Sequence, residues 1–218
     1  MRLRTRIGIL VRPRGKSAFL SRLPETAAIL DVGCGNNSPF GVKSILPRAQ
    51  YTGIDVGDYN QTRPNLADEY ILTTPQDFVA RIRGCRDAFD AVISSHNLEH
   101  CDDRSGTVDA MLAALRPGGR IYLAFPCRRS VGFPRRAGTL NYFDDATHRD
   151  EPPDFQEIVA RLERENFRID FSAGEYRPAA FWLVGLLIEP YSAWRKKAYP
   201  ATWAYYGFES IIWATKRA

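Results

Sequence analysis

No long apolar run occurs in the sequence. The longest, Ala179 to Ile188, has ten residues, about half of the ~20 that a helix needs to cross a bilayer. An integral membrane helix is therefore not expected. Cysteine is scarce: Cys34, Cys85, Cys101 and Cys127 stand 51, 16 and 26 residues apart. No pair has the spacing of a zinc knuckle or a redox dithiol, and four thiols in 218 residues make no disulfide framework. A reducing, cytoplasmic location is expected. Repeats and low-complexity segments are absent, and the apolar stretch Ile7–Val11 is shorter than a secretory h-region. Histidine occurs only at positions 96, 100 and 148.

What is present is an ordinary globular composition. With 44% apolar and 25% charged residues, the chain can bury a sizeable core in one large domain, which excludes disordered and fibrous classes. Charge is unevenly placed. Residues 1–30 carry seven basic side chains and one acid, a net +6, leaving 23 basic against 24 acidic residues, −1, in the remainder. Residues 1–27 are expected as a basic arm or helix, solvated or touching anionic lipid, nucleic acid or an acidic neighbour. The domain proper is expected over residues 28–218.

From Ala28 onward, short β-branched runs alternate with helical stripes, the pattern of a parallel sheet with crossover helices. Strands are predicted at Ala28–Val32, Tyr51–Val56, Glu69–Thr73, Phe89–Ser95, Arg120–Pro126, Phe167–Ala173 and Phe208–Thr215. Val108, Met111, Leu112 and Leu115 form a core-facing stripe before a Pro-Gly-Gly stop. Asp154 and Glu157 form a capping box ahead of Phe155, Ile158, Val159 and Leu162. Two connections exceed what the architecture needs, a lid at 127–153 and an aromatic, apolar insertion at 175–207. Long loops at a sheet's carboxyl edge carry specificity.

Ile29-Leu-Asp-Val-Gly33-Cys-Gly35 is a buried strand running into a glycine turn, and Asp55 ends the next strand 22 residues after Gly33. Bare peptide beside a strand-end carboxylate suits a nucleoside-bearing cofactor. A dinucleotide needs a third glycine to seat its pyrophosphate on a helix N-terminus; Ser38, followed by Pro39, stands there. S-adenosylmethionine has no phosphate and no such need. Asp31-Val-Gly-Cys-Gly, Gly53-Ile-Asp55, Phe89 through His100, and Leu115-Arg-Pro-Gly-Gly119, in that order, resemble the successive motifs of class I S-adenosylmethionine-dependent methyltransferases, nearest the broad type 11 group.

The resemblance implies a Rossmann-like, doubly wound α/β fold of three α/β/α layers, whose seven-stranded sheet ends in an antiparallel strand. Gly33, Cys34 and Gly35 would line the methionine part, Asp31 would support the turn and the amino group, and Asp55 would bind ribose. Val56 would border the adenine, as would Asp77 or Gln76, with Asp68 a weaker alternative. Ser94, Ser95 and His96 would flank the methyl group.

His96, Glu99 and His100 fall at i, i+3 and i+4, on one face if a helix starts there. Three readings stand: residues that shape the strand-to-helix turn, a histidine base among His96, His100 and His148, or a metal site of His96, Glu99 and His100 with His148. Some O-methyltransferases, such as those of ubiquinone synthesis and small-RNA 2′-end methylation, have a similar Glu-x-x-Glu-His cluster. His96 replaces its first glutamate here, and imidazole is a poor magnesium ligand. In the lid, Arg128, Arg129, Arg135 and Arg136 suit an anionic acceptor or simply water, and Tyr142 is a further substrate contact. The 175–207 insertion reads as a cap over the site or a homodimer face, or as an apolar stretch with a basic end lying on a membrane surface. The expected activity is methyl transfer to the oxygen or nitrogen of a small, sugar-linked or lipid-linked acceptor, with nucleic acid less favoured. A nicotinamide oxidoreductase and a non-catalytic partner of the same fold are the alternatives.

Overall fold

Alternating strand and helix signals resolve into one seven-stranded sheet covered on both faces. The computed structural model describes residues 3–217. Strands β1 (Ala28–Val32), β2 (Gln50–Asp55), β3 (Glu69–Leu72), β4 (Phe89–Ser95), β5 (Leu115–Pro126), β6 (Phe167–Ala173) and β7 (Glu209–Lys216) lie in the order β3-β2-β1-β4-β5-β7-β6. Only β7 runs antiparallel to its neighbours, β5 and β6. Helices are α1 (Leu3–Val11), α2 (Lys16–Leu20), α3 (Ser38–Ile45), α4 (Phe78–Arg83), α5 (Arg104–Ala114), α6 (Phe155–Arg164), α7 (Ala179–Arg195) and α8 (Pro200–Tyr206). The expected class, three-layer with a reversed last strand, is borne out.

Strand alternation divides the core. Leu30, Val32, Val92, Leu123 and Phe125 face α4, α5 and α6 through Ile82, Met111, Ile158 and Leu162. Ile29, Tyr51, Ile93, Tyr122 and Trp213 face α2 and α3 through Phe19, Leu20 and Val42. The central strands are therefore apolar on both faces, as parallel strands between helical layers must be. After β1 the chain builds outward to β2 and β3, then returns to the other side with β4. Such a reversal opens a crevice at the carboxyl edges of β1 and β4, where ligands bind in doubly wound sheets.

The stretch expected as a basic arm or helix, residues 1–27, is helical at α1 and α2, and its second half packs into the domain. Ala18, Phe19, Leu20 and Leu23 are core residues, Arg14 and Arg22 stack over Trp213, and Arg12 pairs with Glu209. Arginine stems and guanidinium planes cover apolar surface while keeping their charge paired or wet. Smaller differences have local causes. β5 begins at Leu115 because the Pro-Gly-Gly stop is taken up as a register shift in its pairing with β4. Asp154 caps α6 by accepting from the Gln156 and Glu157 amides, while the Glu157 carboxylate pairs with Arg161 instead of closing the box.

The two insertions pack on each other. Cys127, Phe133 and Leu140 of the lid meet Ala198, Trp203 and Phe208. Arg136 forks onto Glu189 of α7 at 2.7 and 2.8 Å and reaches Ser192. α7 and α8 form a hairpin around Gly185, where a Cβ would lie 2.2 Å from the Ala201 carbonyl.

Candidate active site

At the crevice, β1 ends in a turn whose backbone does the positioning. Gly33 has φ +77°, and a Cβ there would lie 2.4 Å from Asn97; conformation and close approach both demand glycine. Asn36 and Asn37 continue the turn in the left-handed region, which asparagine tolerates. The Gly35 amide donates to Asp55 Oδ2 at 2.9 Å, and the Val56 amide to Oδ1 at 2.7 Å. Burial outweighs these bonds and raises the Asp55 carboxyl above its ordinary value.

These residues open into a cavity of about 1310 Å³. Its lining includes Gly33, Gly35, Asp55, Val56, Gln76 and Val79 and, meeting them where Gly33 touches Asn97, Ser95, His96, Asn97, His100 and Trp203. Lys16 of α2 lines it too and donates to Asp31 Oδ2 at 3.2 Å and Ser38 Oγ at 2.6 Å. Asp31 itself is buried behind Lys16, accepting from Tyr51 at 2.7 Å, with its Oδ1 unpartnered.

Several expected contacts are therefore corrected. Cys34 is buried with its sulfur against Gly53, and burial drives its thiol pKa far up. Ser94 donates to the Val32 carbonyl at 3.0 Å. Asp77 accepts from Thr74 beside the cavity, and Asp68 pairs with Lys43. None of these four lines the cavity, whereas Gln76 does. The lid arginines also lie elsewhere. Arg129 pairs with Glu175 at 3.1 Å, Arg128 approaches Glu151 at 3.9 Å, and Arg135 donates to the Phe143 carbonyl. Long side chains on a solvated loop meet the nearest acid, not the distant pocket.

The histidines separate. His96 has φ +54°, and Leu98–His100 is a 3₁₀ turn, so the three residues do not share a helix face. His96 donates through Nδ1 to Glu99 Oε1 at 3.1 Å and through Nε2 to Glu209 Oε1 at 3.0 Å. Burial disfavours the charged ring, but the two carboxylates prevail and hold its pKa up at about 10. With both nitrogens donating, His96 is neither a base nor a metal ligand, which corrects both expectations.

His148 takes its place. Thr147 donates to Asp145 at 2.6 Å and so accepts from His100 Nδ1 at 2.9 Å. His148 Nδ1 donates to the Tyr142 carbonyl at 2.6 Å. Among the described residues, Nε2 of each ring then makes no hydrogen bond, that of His148 lying 3.9 Å from Asp145 Oδ2. Burial, ahead of every other influence, lowers the His148 pKa, so its ring is neutral at pH 7. Glu99 is fully buried with Oε2 unpartnered, and one ligand atom from each of Glu99, His100 and His148 lies within 4.8 Å of the others. A carboxylate and two imidazoles suit a divalent transition ion better than magnesium, and the orphaned oxygen fits a ligand there. Tyr142, expected at the substrate, instead holds His148 through its carbonyl.

Sequence reasoning passed over Lys16, Tyr59, Arg149 and Trp203, all of which line the cavity. Lys16 was masked by the basic run around it, and the other three sit in segments with no periodic signal.

A strand-end carboxylate beside a glycine turn at a topological switch point defines a nucleoside-cofactor site on a Rossmann-like domain. The chain belongs to the methyltransferase-domain family, whose pattern it matches over residues 10–170. It is similar to the ubiquinone biosynthesis O-methyltransferase of Xanthomonas axonopodis pv. citri, with 30% identity over 117 residues, 50% of this chain and 47% of that protein. The corresponding protein of Chromobacterium violaceum is 31% identical over 115 residues, covering 49% and 48%. The chain thus spans about half the length of the curated relatives it matches. An S-adenosylmethionine-dependent methyltransferase from Mesorhizobium loti has the same fold, with TM-score 0.60, 17% identity and coverage of 91% of this chain and 96% of that one. Fold and family are those of S-adenosylmethionine-dependent methyltransferases, which sets the nicotinamide alternative aside.

Proposed function

We propose that the protein transfers the sulfonium methyl of S-adenosylmethionine to a hydroxyl oxygen held against His100, with Glu99 and His148 behind it. One observation carries this reading: a single cavity joins the Gly33–Gly35 turn and Asp55 to His96, Asn97 and His100. Asp55 takes the ribose hydroxyls, Val56, Gln76 and Val79 border the adenine, and Lys16 takes the methionine carboxylate. Asp31 acts from behind, holding Lys16 and Ser38. Methyl transfer is an in-line displacement in which the S–CH₃ bond breaks as O–CH₃ forms, leaving S-adenosylhomocysteine. The enzyme's main contribution is alignment at near-attack distance. The hydroxyl proton goes to Nε2 of His100, which lines the cavity. A divalent ion held by Glu99, His100 and His148 would occupy that lone pair and, in place of the base, would lower the pKa of a bound hydroxyl. Oxygen as the acceptor atom is supported by this lone-pair cluster and by the curated relatives, which are O-methyltransferases.

Isothermal titration tests the reading. S-adenosylhomocysteine is expected to bind, and Lys16→Met to weaken it tenfold or more. 5′-Methylthioadenosine, which lacks the amino-acid group, is expected to bind wild type and variant equally. NADH binding in preference to S-adenosylhomocysteine would overturn the assignment.

A further inference from the structure

We propose that the outer face of α7 docks on an anionic bilayer surface. Along that face Ala180, Leu183, Val184, Leu187, Tyr191 and Trp194 are all exposed, at the 3–4 residue spacing that aligns side chains on a helix. Leu187 is 81% exposed and Trp194 74%, so the most apolar residues of the helix point away from the protein. A core-packing helix would turn them the other way. Glu189, the one acid of α7, is turned inward onto Arg136, which leaves the outer face free of negative charge. The face ends in Arg195, Lys196 and Lys197, all exposed. α1 lies alongside α7, adds exposed Ile7 and Leu10, and brings exposed Arg6, with Arg2 and Arg4 preceding it in the sequence.

An apolar strip flanked by cations matches the acyl boundary and headgroups of an anionic membrane. Tyrosine and tryptophan beside those cations are the residues that settle at that boundary. No helix among the described residues is long and apolar enough to cross a bilayer, so the fit is to a helix lying in the interface. The geometry also reaches the cavity: α7 packs on α8 at Gly185, and Trp203 of α8 lines the cavity wall. The inference is independent of the acceptor assignment.

The test is co-sedimentation of the full chain with phosphatidylcholine vesicles, with and without phosphatidylglycerol. Binding is expected only where phosphatidylglycerol is present, and it should fall at least tenfold at high salt. Leu187→Asp combined with Trp194→Asp should abolish it. Replacing Arg195, Lys196 and Lys197 with glutamine should weaken it tenfold or more and flatten its salt dependence. Unchanged S-adenosylhomocysteine titration in each variant would confirm that the fold is intact. Failure of wild type to bind, or binding that survives the two aspartates, overturns the proposal. So does a wild-type dimer that the two aspartates convert to a monomer, because the face would then belong to a second copy.

Discussion

The glycine turn and the histidine side of the site are built by different means. At the glycine turn, Gly33, Gly35 and Asp55 lie within 23 residues of one another, and main-chain amides hold the carboxylate. The histidine side and the insertions around it draw on residues far apart in the chain. Arg12 pairs with Glu209, Glu209 with His96, and His96 with Glu99, while the lid is pinned to α7 by Arg136 and Glu189. Backbone geometry makes the first, and alternating charge makes the second. The first should break on steric change and the second on charge or pH.

The largest effect is expected from Gly33→Val. A β-branched side chain at φ +77° must also displace Asn97, and strain of this kind costs about 1–3 kcal/mol before any clash. S-adenosylhomocysteine binding should be lost in calorimetry, and binding at wild-type strength would refute the turn's role. Asp55→Ala should weaken the same ligand roughly 10- to 150-fold, the equivalent of ~1.5–3 kcal/mol for hydrogen bonds to a charged group.

Between the two insertions the lever is pH. Burial would raise the Glu189 carboxyl, but Arg136 and Tyr206 outweigh it and lower the pKa below its ordinary 4.5. The pair's contribution is therefore complete above that ordinary value and is lost as pH falls through the lowered one. Wild type should lose melting temperature through this acid range more steeply than Glu189→Gln, whose curve should be flatter there. Parallel curves would show that the pair does not hold the insertions together. The smallest effect belongs to Arg128→Ala and Arg129→Ala. As exposed residues outside the cavity they should change stability by about 0.5 kcal/mol or less and leave ligand affinity unchanged.

The same division explains what could be read from the chain. All seven strands were legible, as was the glycine turn with Asp55, because each rests on hydrophobic alternation or on residues close in sequence. Lys16 was not, since it reaches Asp31 only once Phe19 and Leu20 have buried α2 against the sheet. His96 was misread because the i, i+3, i+4 pattern presumes an α-helix, whereas its left-handed backbone starts a tighter turn. His148 was named beside Glu99 and His100 only as one of three histidines in the chain, because no spacing rule connects residues some fifty apart; the fold brings it to them. The lid arginines looked like anion ligands by residue type alone, and solvent-exposed acids nearby had the first claim on Arg128 and Arg129.

A crystal structure with S-adenosylhomocysteine tests the central claim, that one cavity sets a sulfonium methyl against the wall at Ser95 and His100. The expected result has both ribose hydroxyls on Asp55, the carboxylate on Lys16, and the sulfur turned toward Ser95 and His100. A sulfur facing away from that wall, or a ribose that leaves Asp55 untouched, would contradict it.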